Sequence, residues 1–370
     1  MQMTGQESAF AFAALPQATS LPTWNVGSYS IPTPSTEMAL LATGDGGAHW
    51  TDLTPPDPYS TAQMSAGSAL FFVTAQTGWF AFDISPRHGP GSKIVIERTT
   101  DAGLKWQAAT VASPNEGSIY LDFTSPLDGW ILSLSWPGAG QMAKAVFRTE
   151  DGGRTWQQVN CSCNLSSTSL PGDSYPDGIA FDGMRGVVTA LYHGDPFVWL
   201  YGTSDGGQTF QRVQLAVPKP YKNTYANPYP PVFSGHSGSM FVQFVGLSQP
   251  GAVLVFRTTD AGATWRPSGG PGVPSSTNPL TSGWTSPEDG YLLSSDGDDI
   301  FVTQDAGVTW SMHRLPKGAV SQSGSQPTVT FFDAKHGLLY AAKAFGTGTL
   351  YATSDAGRTW TKLSPQVAVP

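Results

Sequence analysis

Apolar residues come in short runs along this chain, each broken within a few positions by Gly, Asp, Pro or Ser. Lys93-Ile-Val-Ile-Glu97, Lys144-Ala-Val-Phe147, Ala252-Val-Leu-Val-Phe256 and Thr349-Leu-Tyr351 are typical. Runs of this length, rich in β-branched and aromatic residues and bounded by turn formers, predict strands. A second kind of run recurs upstream of each, as an apolar strand, a short turn, then Gly followed by an aromatic or aliphatic strand. It appears as Ala69–Val73 before Gly78-Trp79, Ile119–Phe123 before Gly129-Trp130, Ile179–Phe181 before Gly186, and Val329–Phe332 before Gly337. Almost nothing carries the i, i+3, i+4 spacing of a helix.

The runs belong to a repeat. Seven octets read Thr-x-Asp-x-Gly-x-x-aromatic, at 43–50, 99–106, 149–156, 203–210, 258–265, 303–310 and 353–360. Their aspartates, Asp45, Asp101, Asp151, Asp205, Asp260, Asp305 and Asp355, are 56, 50, 54, 55, 45 and 50 residues apart. Each octet reads as a hairpin turn. The Asp carboxylate accepts N–H groups of its own turn, the Gly supplies a positive φ, and the aromatic residue buries a large apolar area. These aspartates are therefore structural rather than catalytic. Each repeat holds four strands, A to D, with the octet joining C to D. A lone four-stranded sheet cannot cover both its faces, and radial stacking of such sheets does.

The octets resemble the Asp-box (BNR) repeats of the sialidase-like β-propeller superfamily. With the upstream Phe and Gly-Trp, they are similar to photosystem II stability/assembly-factor-like propellers. The resemblance implies an all-β, seven-bladed β-propeller with four antiparallel strands per blade, as a single domain over 1–370. An inner strand of the first blade is expected near Ala9-Phe-Ala-Phe12 and a last D strand over Thr359–Leu363, closing the ring without a shared blade.

Composition narrows the function classes. Charged residues make up 12%, hydrophobic residues 39%, and Gly and Pro number 42 and 30. A net charge of −8 argues against nucleic acid or an anionic membrane as partner, because both need basic surface. No apolar run reaches the ~18–20 residues of a membrane-spanning helix. The start of the chain lacks the pattern of a signal peptide. Few Lys, few Cys and much Thr, Ser, Gly and Trp suggest an extracytoplasmic location. Cys161 and Cys163 are too few for a disulfide framework or a four-ligand zinc site. They read as two thiols at a strand edge, with a redox pair or metal clip as the alternative. No cofactor is implied.

Strand parity puts A–B and C–D turns on one face and the longer B–C and D–A loops on the other. Binding residues are sought on the loop face. The longest loop, 217–231, spaces Tyr221, Tyr225 and Tyr229 among prolines and suits stacking on sugars or apolar side chains. Trp136, His193, Asp195 and Arg87 join them from B–C loops. Asp122, Asp128, Asp182, Asp289 and Asp333 are placed at A–B turns as turn chemistry. Sialidases of the resembled superfamily use an arginine triad, a tyrosine with a glutamate partner, and an Arg-Ile-Pro motif. Here there is no Arg-Ile-Pro, no Arg before Trp50, and only six Glu. Xyloglucan-cleaving Asp-box enzymes place two aspartates between two propellers, and one propeller is expected here. The expectation is a non-catalytic binding or assembly scaffold for a protein or polysaccharide partner. A carbohydrate-active hydrolase of the sialidase or xyloglucanase type is the alternative.

Overall fold

The computed structural model describes residues 2–3, 9–15, 23–26, 29–32, 37–54, 68–84, 92–113, 115, 117–138, 141–163, 166–191, 198–222, 224–245, 251–275, 281–294, 296–320, 327–342 and 348–368. Among these residues the strands form seven blade-like sheets and one separate hairpin, Thr23–Val26 with Tyr29–Pro32. They contain no α-helix. Blade 3 shows the unit, with A Ile119–Phe123, B Gly129–Leu134, C Lys144–Thr149 and D Gln157–Cys161, each antiparallel to the next. Blades 2, 4, 6 and 7 repeat that order. In blade 5 the A strand is broken into Tyr225–Pro228 and Val232–Ser234, and D into Arg266–Pro267 and Val273–Pro274.

The first blade corrects one sequence expectation. Ala9–Leu15 pairs directly with Glu37–Thr43, the strand that enters the octet, so it is strand B, and A is Gln2–Met3. The ring closes on both edges of this blade. Gln2–Met3 lies beside the A strands of blade 2 (Ser68–Phe72) and blade 7 (Thr328–Phe331). Gln366–Ala368 adds parallel to His49–Asp52, the D strand of blade 1. That strand therefore finds its partner from the far end of the chain, which satisfies an otherwise open edge.

Each octet closes on itself as its sequence implies. In blade 4, the Thr203 hydroxyl donates to Asp205 Oδ1 at 2.8 Å while accepting the Gly207 N–H at 3.0 Å. Asp205 Oδ1 also accepts the Thr209 N–H at 2.9 Å, and Oδ2 accepts the Thr209 hydroxyl at 2.6 Å. Gly207 has φ 90°, as expected, but the preceding position is left-handed too, and four octets place Ala there: Ala102, Ala261, Ala306 and Ala356, at φ 54 to 64°. The N–H of that residue donates to a carbonyl of its own blade's A–B turn. Examples are Ala102 to Gln76 at 2.9 Å, Gly152 to Leu127 at 2.8 Å and Ala306 to Glu288 at 2.8 Å. These bonds place A–B turns and octets on one face, as parity requires. Replacing Asp205 by Ala orphans two hydroxyl groups and an N–H, and is expected to cost about 1–3 kcal/mol in urea unfolding. A loss below measurement error would remove the structural role assigned to these carboxylates.

Blades are joined by aromatic stacks. Trp79 in strand B of blade 2 (Gly78–Ile84) stacks on Phe123 in blade 3, with centroids 3.5 Å apart and planes at 7°. Trp130 in blade 3 stacks on Phe181 of blade 4 strand A (Tyr175–Asp182) at 3.8 Å and 5°. Phe241 in blade 5 stacks on Trp284 of blade 6 strand A (Ser282–Trp284) at 4.2 Å and 19°. The indoles also reach forward to the next blade's octet: Trp79 Nε1 donates to the Gly152 carbonyl at 2.8 Å, and Trp130 Nε1 to the Gly206 carbonyl at 2.9 Å. The last A-strand aromatic lies flat over the first residue of strand B. A side chain at Gly78, Gly129 or Gly186 would enter the ring of Phe72, Phe123 or Phe181, which explains the Gly-aromatic pattern.

Candidate functional site

The A strands end around a central opening of about 660 Å³. Its wall includes Phe71, Asp122, Asp182, Tyr229 and Trp284, from the A strands of blades 2 to 6 and the break in blade 5. These residues sit at the C-terminal ends of the A strands, next to the A–B turns. The opening is thus the channel mouth on the Asp-box side.

Asp122 is the distinctive residue of this mouth. It immediately precedes the A-strand aromatic Phe123, a position at which blades 2 and 4 to 7 carry Phe71, Ala180, Val232, Gly283 and Thr330. Its Oδ2 accepts the Phe181 N–H of the neighbouring blade at 2.7 Å. Burial between the strands pushes the carboxyl up to about 7, and the Phe181 N–H opposes this without prevailing. The sequence reading of Asp122 as a turn residue is corrected by this placement: it lies inside a strand and bridges two blades. Asp128, Asp289 and Asp333 do serve turns, accepting from the Ser125 hydroxyl, the Ser286 hydroxyl and the His336 N–H respectively.

Burial also raises Asp177 to about 7. It sits at a bulge of the blade 4 A strand, four residues before Phe181, and so roughly 13 Å of strand from the level of Asp122. That exceeds the ~5–9.5 Å at which two carboxyl groups cooperate in glycoside cleavage. The octet carboxylates shift the other way. The His49 N–H and imidazole hold Asp45 down to about 2. At Asp151, burial works upward, but the Thr155 hydroxyl and N–H prevail and bring it to about 2.

The rest of the mouth is aromatic. The Tyr229 hydroxyl donates to Gln243 Oε1 at 3.1 Å, and Gln243 Nε2 donates to the Ser275 hydroxyl at 2.8 Å. The Trp284 Nε1–H is buried without a hydrogen-bond partner among the described residues.

Of the residues expected from sequence, the structure describes Tyr221, Tyr225, Tyr229 and Trp136, and it places them apart. Tyr221 ends a 3₁₀ turn, Lys219–Tyr221, and stacks on Phe244 at 4.8 Å. Tyr225 lies in strand A of blade 5, opposite Val245, so the long loop is shorter than its sequence suggests. Tyr229 lines the channel mouth on the Asp-box side, opposite to the face expected. Trp136 is 61% exposed in the B–C connection of blade 3. Arg87, His193 and Asp195 lie outside the described residues. The sequence pattern points to Tyr229 as a tyrosine among prolines, but it does not single out Asp122, Asp182 or Trp284 as site residues. The available signal was the carboxylate of Asp122 at a position that is apolar, glycine or threonine in blades 2 and 4 to 7.

Cys161 and Cys163 form a disulfide, which corrects the reading of two thiols. Among the described residues no three His, Cys, Asp or Glu side chains are grouped to hold a metal ion. Among them, too, no helix is long and apolar enough to cross a membrane.

Neither a family model nor a curated protein matches the chain. Among solved structures, it is similar to the GH74 xyloglucanase from Xanthomonas campestris, at 16% identity and a TM-score of 0.53. The match covers 86% of this chain and 49% of that one, so this chain spans about half the length of the xyloglucanase. It is also similar to YCF48 from Cyanidioschyzon merolae, at 15% identity over 83% of this chain and 86% of that one, with a TM-score of 0.50. At such identities the likeness is one of fold, a seven-bladed β-propeller.

Proposed function

We propose that this protein is a non-catalytic, extracytoplasmic binding or assembly scaffold that seats a protein segment or polysaccharide end in its channel mouth. The observation that carries this reading is the buried Trp284 N–H, without a hydrogen-bond partner among the described residues, in a mouth whose wall also includes Asp122. With its pKa raised to about 7, Asp122 is protonated at mildly acidic pH and adds a neutral hydrogen-bonding group to the aromatic walls. Such a surface suits amide or hydroxyl groups flanked by apolar faces rather than a charged ligand. A buried donor without an acceptor also favours a ligand that supplies one. The Cys161–Cys163 disulfide fits an oxidising compartment.

A glycan array and a pull-down from native extract identify the ligand. Trp284→Phe keeps a ring on Phe241 but removes the donor. It is expected to weaken binding about tenfold, the equivalent of ~1.4 kcal/mol, with little change in Tm. Unchanged affinity, with only Tm reduced, would refute the seat. A second reading rests on Asp122 and Asp182 lining one mouth. In a hydrolase, Asp122 is the proton donor, since its carboxyl keeps its proton near neutrality. Turnover of a polysaccharide that is lost in Asp122→Asn establishes that reading in place of the first.

A further inference from the structure

We propose that Cys161–Cys163 is a thiol–disulfide exchange site, through which this propeller oxidises a partner dithiol. This activity is separate from ligand seating in the channel.

The bridge is poorly suited to a structural role. It joins residues two apart, so it closes a ring of three residues. Cross-links stabilise mainly by removing loop entropy from the unfolded chain, and that gain is smallest for the shortest loops. The backbone around it is held independently. Cys161 pairs with Ala145 at the end of strand D of blade 3. The Ser162 N–H donates to the Lys144 carbonyl at 2.9 Å, and the Lys144 N–H donates to the Ser162 hydroxyl at 2.9 Å. Opening the S–S bond therefore breaks none of the contacts that set the register.

The two sulfurs differ in access. Cys161 is 2% exposed within the core between blades 2 and 3, whereas Cys163 is exposed. Exposed disulfides are the labile ones, and exchange rates depend on which sulfur an incoming thiolate reaches. Here that sulfur is Cys163, with Cys161 as the leaving group. Ser162, between the two cysteines, faces the other way and lines a groove of about 860 Å³ between blades 3 and 4 with Met142, Ser166, Asp173, Tyr201 and Arg212. Its floor is pinned by Lys144, whose buried Nζ donates to the carbonyls of Met142 at 2.8 Å and Pro171 at 2.5 Å.

The step balances as follows. A substrate thiolate attacks Cys163 Sγ; a mixed disulfide forms, the Cys161–Cys163 bond breaks, and Cys161 leaves as a thiolate that takes a proton. The substrate's second thiol, losing its proton, attacks its own sulfur in the mixed disulfide and releases Cys163. Two electrons and two protons pass from the substrate dithiol to the propeller, which is left as a dithiol.

The test uses glutathione as thiol probe, maleimide alkylation to trap free thiols, and circular dichroism to follow the fold. Air-purified protein is expected to show no free thiol. Millimolar reduced glutathione is expected to expose two alkylatable thiols with an unchanged spectrum. Cys161→Ser, which leaves the exposed sulfur, is expected to form a mixed disulfide with oxidised glutathione at least tenfold faster than Cys163→Ser. Two free thiols in air-purified protein, reduction only on unfolding, or equal rates for the two variants would each overturn the proposal.

Discussion

Replacing Trp130 by Ala is expected to remove about 3–5 kcal/mol of stability, the range for deleting a fully buried aromatic residue. Trp130 is 1% exposed and meets three different elements. It stacks on Phe181 in the next blade, donates to the Gly206 carbonyl of that blade's octet, and carries the Arg148 guanidinium 5.6 Å from its ring centroid. The side chain therefore joins blades 3 and 4 at the A strand and at the octet. Trp130→Phe keeps the stack and loses the hydrogen bond, so about 1–2 kcal/mol is expected. Urea unfolding measures both variants. A loss under ~1 kcal/mol in Trp130→Ala would mean that the blades are not coupled through this stack.

Stability is expected to peak near pH 4 rather than at neutrality. Two groups of carboxyls set opposite slopes. The octet aspartates have folded pKa values below the unfolded ~3.9, with Asp45 and Asp151 at about 2. Below pH ~4 the unfolded chain binds more protons than the fold, so the stability these groups supply is lost as pH falls from about 4 to 2. Asp122 and Asp177 have folded values raised to about 7. Between pH ~4 and 7 the fold holds protons that the unfolded chain has released, so stability declines as pH rises through that window. Asp122→Asn mimics the protonated form and keeps an oxygen to accept the Phe181 N–H. It is expected to be close to neutral at pH 4 and stabilising by about 1–3 kcal/mol at pH 8, after allowance for its partial exposure. Thermal melts from pH 2 to 8 check both limbs. A steady rise of Tm from pH 4 to 7, or a destabilised Asp122→Asn at pH 8, would contradict the assignment.

The repeat, its strand order and the face shared by A–B turns and octets were legible because they follow from turns that close locally and from strand parity. Thr203, Asp205, Gly207 and Thr209 satisfy one another, so their spacing alone specifies the turn. The left-handed alanines were harder to see, since Ala seldom adopts positive φ. Gly46, Gly152 and Gly206 at the equivalent position were the available clue.

The site was less legible. Tyr221 and Tyr229 look like loop aromatics in sequence, yet the ring of Phe244 and the amide of Gln243 take them up, because prolines interrupt the inner strand of blade 5 without ending it. Asp122 has an ordinary place in an apolar strand, and only the neighbouring blade supplies the Phe181 N–H and the burial that change its chemistry.

The local pattern thus determined seven repeats of four strands and the self-contained octets, since short-range hydrogen bonds and short apolar runs bounded by turn formers suffice to encode them. Only the tertiary structure decided which inner strand meets which, how Gln366–Ala368 closes on His49–Asp52, and which residues converge on the channel mouth. Those outcomes depend on residues 50 to more than 300 positions apart being brought together by ring closure, and no local propensity carries that information.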